Sequence, residues 1–189
     1  MLREIISNEW FTVLIVLCVC ILAFAKARFT NRFNDFLWLI GNSKYLKIYS
    51  RDQKFIDQFD GLLFLNLIIS SALFYFIWYN TFIEPIAFDL ILFFKFFIGI
   101  GSLILIKILI ERLIGSLFEI DSLIDSYVFQ KTNYKNYIGL VLLPINILLI
   151  FAVYPSKTIL YIVVGLILVI NLVGFITSFK IHQKLILNN

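Results

Sequence analysis

The chain has 189 residues, of which 61% are hydrophobic, only 15% are charged and 21 are phenylalanine. Soluble domains are nearer half apolar and a quarter charged, so a soluble fold of this length could not bury so much apolar surface. The composition therefore excludes an ordinary soluble domain and indicates that lipid surrounds much of the chain.

Five apolar runs have about the length that a helix needs to cross a hydrocarbon core of roughly 30 Å at 1.5 Å per residue. None alternates in the manner of barrel strands, so we expect helices that satisfy their own backbone hydrogen bonds. The runs are Trp10–Ala25, Leu62–Trp78, Ile86–Ile106, Tyr137–Tyr154 and Ile159–Phe179. We predict an all-α fold, a single polytopic transmembrane bundle of about five spanning helices over residues 1–189.

The first run ends in a small-x-small triplet at residues 23–25, as signal-peptide cleavage sites do. The flanking charges argue against cleavage. Arg3, Glu4 and Glu9 precede the run, whereas the charged residues that follow it, as far as Arg32, are all basic. That order is the reverse of a secretory signal, so we interpret the run as an uncleaved spanning helix.

Between the first two runs, residues 26–61 combine an amphipathic stretch with basic residues. Aromatic and aliphatic residues recur at helical spacing from Phe29 to Ile40, which predicts an interfacial helix. A basic elbow follows, and it carries Lys44, Lys47 and Arg51. This surface is a candidate for binding anionic lipid headgroups, which is the simpler interpretation, or for binding a partner protein.

The third run contains Lys95 between two pairs of phenylalanines. If the helix began at Ile86, this lysine would lie roughly 14 Å deep at 1.5 Å per residue, where a charge is costly and usually functional. Only eleven residues separate Lys95 from Lys107, however, so both side chains could extend to opposite interfaces. We favour this snorkelling interpretation over a functional intramembrane lysine.

The second segment predicted outside the membrane, residues 107–136, differs from the first. Within it, Glu111–Gln130 places apolar residues on one helical stripe and Glu119, Asp121 and Asp125 elsewhere. An acidic face is not attracted to anionic lipid, so this second amphipathic helix is expected either to pack its apolar stripe on the membrane or on the bundle, or to dock a second protein.

The distribution of basic residues predicts the orientation of the bundle. With the N-terminus outside, thirteen of the sixteen lysines and arginines lie on the inner side. The positive-inside rule therefore predicts that the N-terminus lies outside and that residues 26–61 and 107–136 lie on the inner, cytoplasmic side. The outer connections, around Asn80–Pro85 and Tyr154–Lys157, are too short to hold a domain.

Asn66, Asn146 and Asn171 place neutral amides on three different predicted spans. Amides in lipid usually hydrogen-bond across helices, for about 1 kcal/mol each, so we interpret them as contacts that hold the bundle together, with ligand binding as the alternative. Pro144 cannot donate a backbone hydrogen bond, which predicts a kink in the fourth span beside Asn146.

Catalytic and cofactor chemistry finds little support in the sequence. Cys18 and Cys20 are two residues apart, so they point in different directions on a helix, and their spacing is not that of a metal site. The single His182 cannot supply a bis-histidine haem, and the chain has no HExxH, GxSxG or P-loop motif. We expect no enzyme activity, no metal and no cofactor.

Three groups of residues carry a family resemblance. They are Arg32-Phe33 with the elbow Lys44–Tyr49, Lys107 with Ile110–Arg112, and Tyr134–Asn146 with its Tyr-Ile-Gly-Leu and Leu-Pro-Ile-Asn elements. Over the whole chain this pattern resembles an uncharacterised membrane family of Bacteroidota, domain of unknown function 4271. The resemblance implies the inner membrane of a Gram-negative cell and supplies no activity. Members usually continue into a further apolar segment, which leaves open a sixth helix after Asn189.

Two hypotheses for the function remain. A non-catalytic accessory or assembly subunit of a membrane protein complex fits the scarcity of intramembrane charges and the two contrasting inner surfaces. A small transporter or channel subunit rests on Lys95, Pro144 and the asparagines, without visible inverted repeats or proton-relay carboxylates. The expected partners are the lipid bilayer and another integral membrane protein, and no nucleic acid is expected.

Overall fold

The computed structural model describes residues 9–40, 44–50, 57–152 and 155–187. Throughout these ranges the regular secondary structure is helical. The helices are α1 (Glu9–Arg28), α2 (Thr30–Leu37), α3 (Lys44–Tyr49), α4 (Gln58–Phe82), α5 (Leu90–Leu117), α6 (Asp121–Ile147), a π-helical segment (Leu148–Ala152) and α7 (Lys157–Leu187).

Five of these helices are long and apolar enough to cross a membrane, which is the pattern of a multi-pass membrane protein. They are α1, α4, α5, α6 with its π-helical segment, and α7. Each of the five apolar runs overlaps one of them. The prediction of an all-α fold with about five spanning helices is confirmed.

Aspartate caps fix where α4 and α5 begin. Asp57 Oδ1 accepts a hydrogen bond from the backbone N–H of Asp60 at 2.9 Å, and Asp89 Oδ1 accepts one from Ile91 at 2.8 Å. A carboxylate at this position satisfies an N–H group that has no partner within the first turn. The cap at Asp89 starts α5 at Leu90, later than the apolar run indicates.

The centre of the bundle is the pair formed by α4 and α6. Helix α4 also packs on α1 and α5, and α6 also packs on α5 and α7. At Gly139 of α6 the two helices approach so closely that a Cβ atom there would lie 2.5 Å from the Cα of Leu67 on α4. Small residues at such crossings let helical backbones meet inside a membrane.

The amphipathic helix predicted after the first span is present as α2, and its apolar face lies against the bundle. Phe33 and Phe36 are buried in a cluster that also contains Phe59 from α4. The ring of Phe36 meets those of Phe59 and Tyr45 edge to face, with centroids 6.0 and 5.6 Å apart. This face of α2 is therefore covered by protein.

The single amphipathic helix predicted over Glu111–Gln130 is wrong. Helix α5 continues to Leu117 and α6 begins at Asp121, so the region is a helical hairpin made from the ends of two spanning helices. The turn includes Glu119, whose φ of 56° lies in the left-handed region that favours glycine. The apolar stripe predicted from the sequence spans this chain reversal, and helical periodicity alone cannot detect a reversal.

Gly115 brings the two arms of this hairpin together. A Cβ atom on Gly115 would lie 2.9 Å from side-chain atoms of Ile124 on the opposite arm. A larger residue would therefore separate the arms or displace Ile124.

Helix α6 continues through Pro144 and widens into the π-helical segment immediately after Ile147. Proline cannot donate the backbone hydrogen bond of a regular helix, and π-helical turns often accommodate such irregularities. The sequence predicts a kink in the fourth span at Pro144, and the structure has a π-helical segment just after this proline.

Candidate functional site

A network of polar side chains, the arginine cluster, lies where α4 begins, beside Asn133 of α6, at what we call the charged end of the bundle. Arg32 on α2 donates hydrogen bonds to the carboxylate of Asp57, to Asp60 Oδ2 at 3.1 Å and to the Tyr45 hydroxyl at 3.4 Å. Tyr45 on α3 donates in turn to Asn133 Oδ1 on α6, at 3.1 Å. These five residues tie α2 and α3 to α4 and α6.

Burial sets the electrostatics of the arginine cluster. Asp60 is only 3% exposed, and the Arg32 guanidinium also lies over the Phe59 ring, 4.6 Å from its centroid. Burial alone would lower the pKa of Arg32, but the negative charge of Asp60 and the hydrogen bond to Asp57 hold that pKa above its ordinary value. Burial raises the pKa of Tyr45, so its hydroxyl keeps its proton and remains a donor.

The arginine cluster is a structural joint. A guanidinium matched by two carboxylates offers neither a nucleophile nor a proton donor near neutral pH. Within the described residues, moreover, no group of three His, Cys, Asp or Glu side chains is placed to hold a metal ion. Asp57, Asp60 and Asn133 could not be predicted as members from the sequence. Arg32 pairs with residues 25 and 28 positions away, Tyr45 pairs with Asn133 88 positions away, and no spacing rule links such residues.

The basic elbow is only partly described. Lys44 is exposed at the start of α3, whereas the Lys47 side chain and the whole of Arg51 lie outside the described residues. Tyr45 and Leu46 between them are buried, so one side of α3 packs inward. Whether the elbow binds headgroups or a partner stays a prediction.

Two ion pairs connect the arms of the α5–α6 hairpin. Arg112 Nη2 donates to Asp125 Oδ1 at 2.6 Å, and Lys131 is paired with Glu111. Asp125 belongs to the acidic docking face that the sequence predicts, but its charge is matched within the hairpin. Partly exposed pairs contribute only about 0–1 kcal/mol each to the free energy of unfolding. We therefore interpret these two pairs as contacts that align the arms and add little to the stability of the hairpin.

Beyond these ion pairs the hairpin continues as residues 113–123, which we call the hairpin tip. Leu117 and Phe118 are 72% and 71% exposed there. Glu119 and Asp121, the other predicted docking residues, are exposed beside them. Large apolar side chains on the far side of a charged layer form the kind of patch that binds another molecule.

Three helices meet around Ser70 in the interior of the bundle. Asn146 Nδ2 on α6 donates to the backbone carbonyl of Ser70 on α4 at 2.8 Å, and Cys18 Sγ on α1 lies 3.8 Å from Ser70 Oγ. Asn146 thus makes an interhelical hydrogen bond of the kind predicted for it. Cys18 is fully buried as a packing residue, whereas Cys20 is exposed.

The other intramembrane amides differ from this pattern. Asn66 and Asn136 are fully buried, yet neither amide has a hydrogen-bond partner among the described residues. Asn136 escaped notice because it directly precedes the apolar run that starts at Tyr137. Asn171 is exposed and donates to the carbonyl of Ile167 on its own helix, so the interhelical interpretation is wrong for Asn171.

Lys95 is exposed on α5 and lies five residues after the helix begins at Leu90. At 1.5 Å per residue it is about 7.5 Å from the start of the helix, which a lysine side chain can span to reach an interface. In the described part of the chain it has no hydrogen bond to Asn66 or Asn146. This geometry supports the snorkelling interpretation.

A groove of about 310 Å³ is formed by four of the spanning helices. The packed pair α4 and α6 supplies its floor, and α5 and α7 supply its sides. Its walls are largely apolar, with Phe74 from α4, Ile104 from α5 and Leu142 from α6. Lys135 and Asn171 are polar groups among the lining residues, and Lys135 is half-buried. Lys135 falls in the segment predicted outside the membrane, so it was not among the predicted site residues.

Comparison with known families gives one clear result. The family model DUF4271, a domain of unknown function, matches residues 11–189, which is nearly the whole chain. The chain belongs to this family, as the motif residues predicted. No curated protein and no solved structure matches it.

Proposed function

We propose that this member of a family of unknown function is a non-catalytic subunit of an inner-membrane protein complex, and that it binds a partner integral membrane protein through the hairpin tip and the adjoining face of α5. The hairpin tip is the observation that carries the proposal, because Leu117 and Phe118 are exposed beyond the Arg112–Asp125 pair. A monomer in lipid and water has no use for such a patch.

The length of α5 favours a protein, not lipid, as the occupant of the tip. Its 28 residues extend about 42 Å at 1.5 Å per residue, against a hydrocarbon core of roughly 30 Å. Lys107, Glu111 and Arg112 mark the headgroup level near its end. Lipid tails would then end before the tip begins, and its apolar side chains would face water unless a partner covers them.

The lipid-side face of α5 continues this patch into the membrane. Of the five candidate spans, α5 has the smallest buried share within the described structure. Its exposed apolar residues run without a gap toward the tip and include Leu103, Ile106, Leu109, Ile110 and Leu113. A partner helix lying along α5 would cover the face and the tip together.

The proposed orientation places the charged end, and with it the hairpin tip, in the cytoplasm. It rests on the positive-inside rule applied to the thirteen basic residues on that side. Glu119 and Asp121 would then form an acidic rim around the tip and set partner choice and encounter rate. The basic elbow with Lys44 would provide either a lipid contact or a second contact with the partner.

Purification of the tagged chain in mild detergent tests the proposal. Wild type should carry a stoichiometric membrane protein, and Phe118→Ser should lose it while keeping its helical content and elution volume. Trp38→Ser is the matched control, because Trp38 is an equally exposed aromatic residue outside the tip. A wild type with no companion, or a Phe118→Ser variant that retains it at full yield, would contradict the proposal.

A small transporter or channel subunit is the second candidate, and the buried amides of Asn66 and Asn136 favour it. Unpartnered amides inside a bundle can hydrogen-bond water or a polar solute. This alternative predicts that a small solute raises the melting temperature of the purified chain and that Asn136→Leu abolishes the shift. A subunit without transport activity would show neither effect.

A further inference from the structure

The groove formed by α4, α5, α6 and α7 plays no part in the proposed partner contact, and Lys135 gives it an unusual character. This lysine lies on α6, which is long and apolar enough to cross a membrane, on the side of the groove nearest the charged end, and it is half-buried. Among the described residues Lys135 takes part in no ion pair, and the nearby Glu111 is paired with Lys131. Within the part of the chain that the structure describes, Lys135 is therefore a partly buried cation without an ion pair of its own.

The surroundings of Lys135 add positive charge to the same place. Among the described residues, Lys131 on α6 and Lys107 on α5 repel it and Glu111 attracts it. A partly buried ammonium group with a net positive environment is costly to hold in a membrane. An anion at this end of the groove would remove that cost.

The apolar part of the groove extends from Lys135 toward the middle of the bundle. From Lys135 to the level of Gly139, which meets Leu67, is about 6 Å along α6, and from Leu67 to Tyr75 is about 12 Å along α4. The total of about 18 Å is close to half of a hydrocarbon core of roughly 30 Å. The groove thus has the length and the lining of a site for an acyl chain in one leaflet.

We propose that this groove binds an anionic phospholipid from the leaflet at the charged end, with its phosphate on Lys135 and an acyl chain along the apolar walls. Charge decides between lipids of equal chain length, because a zwitterionic headgroup brings no net charge to balance Lys107 and Lys135, whereas Lys131 is already paired with Glu111. Lys135 lies at the end of the groove where a headgroup would lie, and the largely apolar walls line the rest of the groove. The site stands independently of the partner proposed for the hairpin tip.

Lipid-dependent stabilisation of the full chain in neutral detergent tests the site. Phosphatidylglycerol should raise the melting temperature more than phosphatidylethanolamine with the same acyl chains. Lys135→Gln should weaken the apparent affinity for phosphatidylglycerol about five-fold, the contribution of one basic residue near anionic lipid, and Lys135→Arg should retain it. Ile104→Trp should reduce the response to both lipids, because it fills the apolar wall.

Lys95→Gln is the matched control, since Lys95 is also an intramembrane lysine but lies outside the groove. It should leave the response to phosphatidylglycerol unchanged. Equal responses of the wild type to the two lipids, an unaltered response of Lys135→Gln, or an equal loss in Lys95→Gln would overturn the proposal. So would full stabilisation by inorganic phosphate alone, or an unaltered response of Ile104→Trp.

Discussion

Gly139 shows how one residue controls the centre of this bundle. It lies in the Tyr-Ile-Gly-Leu stretch that carries the family resemblance, and the structure supplies a physical reason for a glycine there. A Cβ atom would lie 2.5 Å from the backbone of Leu67, which cannot move aside as a flexible side chain can. The α4–α6 contact therefore depends on a residue without a side chain.

Gly139→Ala should destabilise the chain by about 1–3 kcal/mol, the usual cost of overpacking a close-packed contact. Thermal unfolding in detergent, followed by circular dichroism, measures the effect. Gly165→Ala on α7 is the control, because a Cβ at Gly165 meets nothing within 4 Å. Equal melting temperatures for the two variants would show that α4 and α6 do not meet at this glycine.

Arg32 is the second residue on which the fold depends. Arg32→Met should cost about 3–5 kcal/mol, because it leaves the buried carboxylate of Asp60 without its cation. Unfolding in detergent measures the loss, and adding Asp60→Asn to Arg32→Met should recover part of it. Arg28→Met, which changes a more exposed arginine, should have little effect. If Arg32→Met were as stable as Arg28→Met, the arginine cluster would not be a joint.

At the level of elements, hydropathy predicted more than periodicity did. The apolar runs located all five long helices, because a run of about twenty apolar residues has few structural solutions in lipid. Periodicity failed between Glu111 and Gln130, where the same stripe of apolar residues fits one helix or two antiparallel arms. Gly115 permits the two arms to meet, but a glycine in the sequence does not predict this contact unless its neighbour Ile124 is also known.

The hairpin should loosen when its close contact is disturbed. Gly115→Ala should speed amide hydrogen exchange across residues 113–123, because its Cβ would overlap Ile124. Exchange in α4 should not change. Gly99→Ala, at a glycine of α5 with open space around it, serves as the control. Protection of the hairpin at the wild-type level in Gly115→Ala would contradict the packing described.

For the molecule as a whole, the sequence predicted the class of protein but not its polar sites. The arginine cluster joins residues from four helices, and such long-range pairs leave no pattern in one sequence. Lys135 was hidden for another reason. The apolar run begins at Tyr137, so this lysine was counted with the segment outside the membrane, whereas it lies on the continuous helix α6 and lines the groove.

The predicted topology can be tested with reporters. A reporter fused after Lys54 or Lys131 should be cytoplasmic, and one inserted within Asn80–Pro85 should be periplasmic, because the basic residues gather at the charged end. Periplasmic labelling after Lys54 would invert the bundle. The hairpin tip would then face the periplasm, and a cytoplasmic partner surface would be excluded.

The central claim is that a partner membrane protein covers the hairpin tip, and site-specific photo-cross-linking in native membranes tests it most directly. A photoreactive residue at Phe118 should give one protein adduct of defined mass. The same residue at Phe175, an exposed position inside the α7 span, should give lipid adducts. Lipid adducts alone at Phe118 would place the tip in the headgroup layer and contradict the claim.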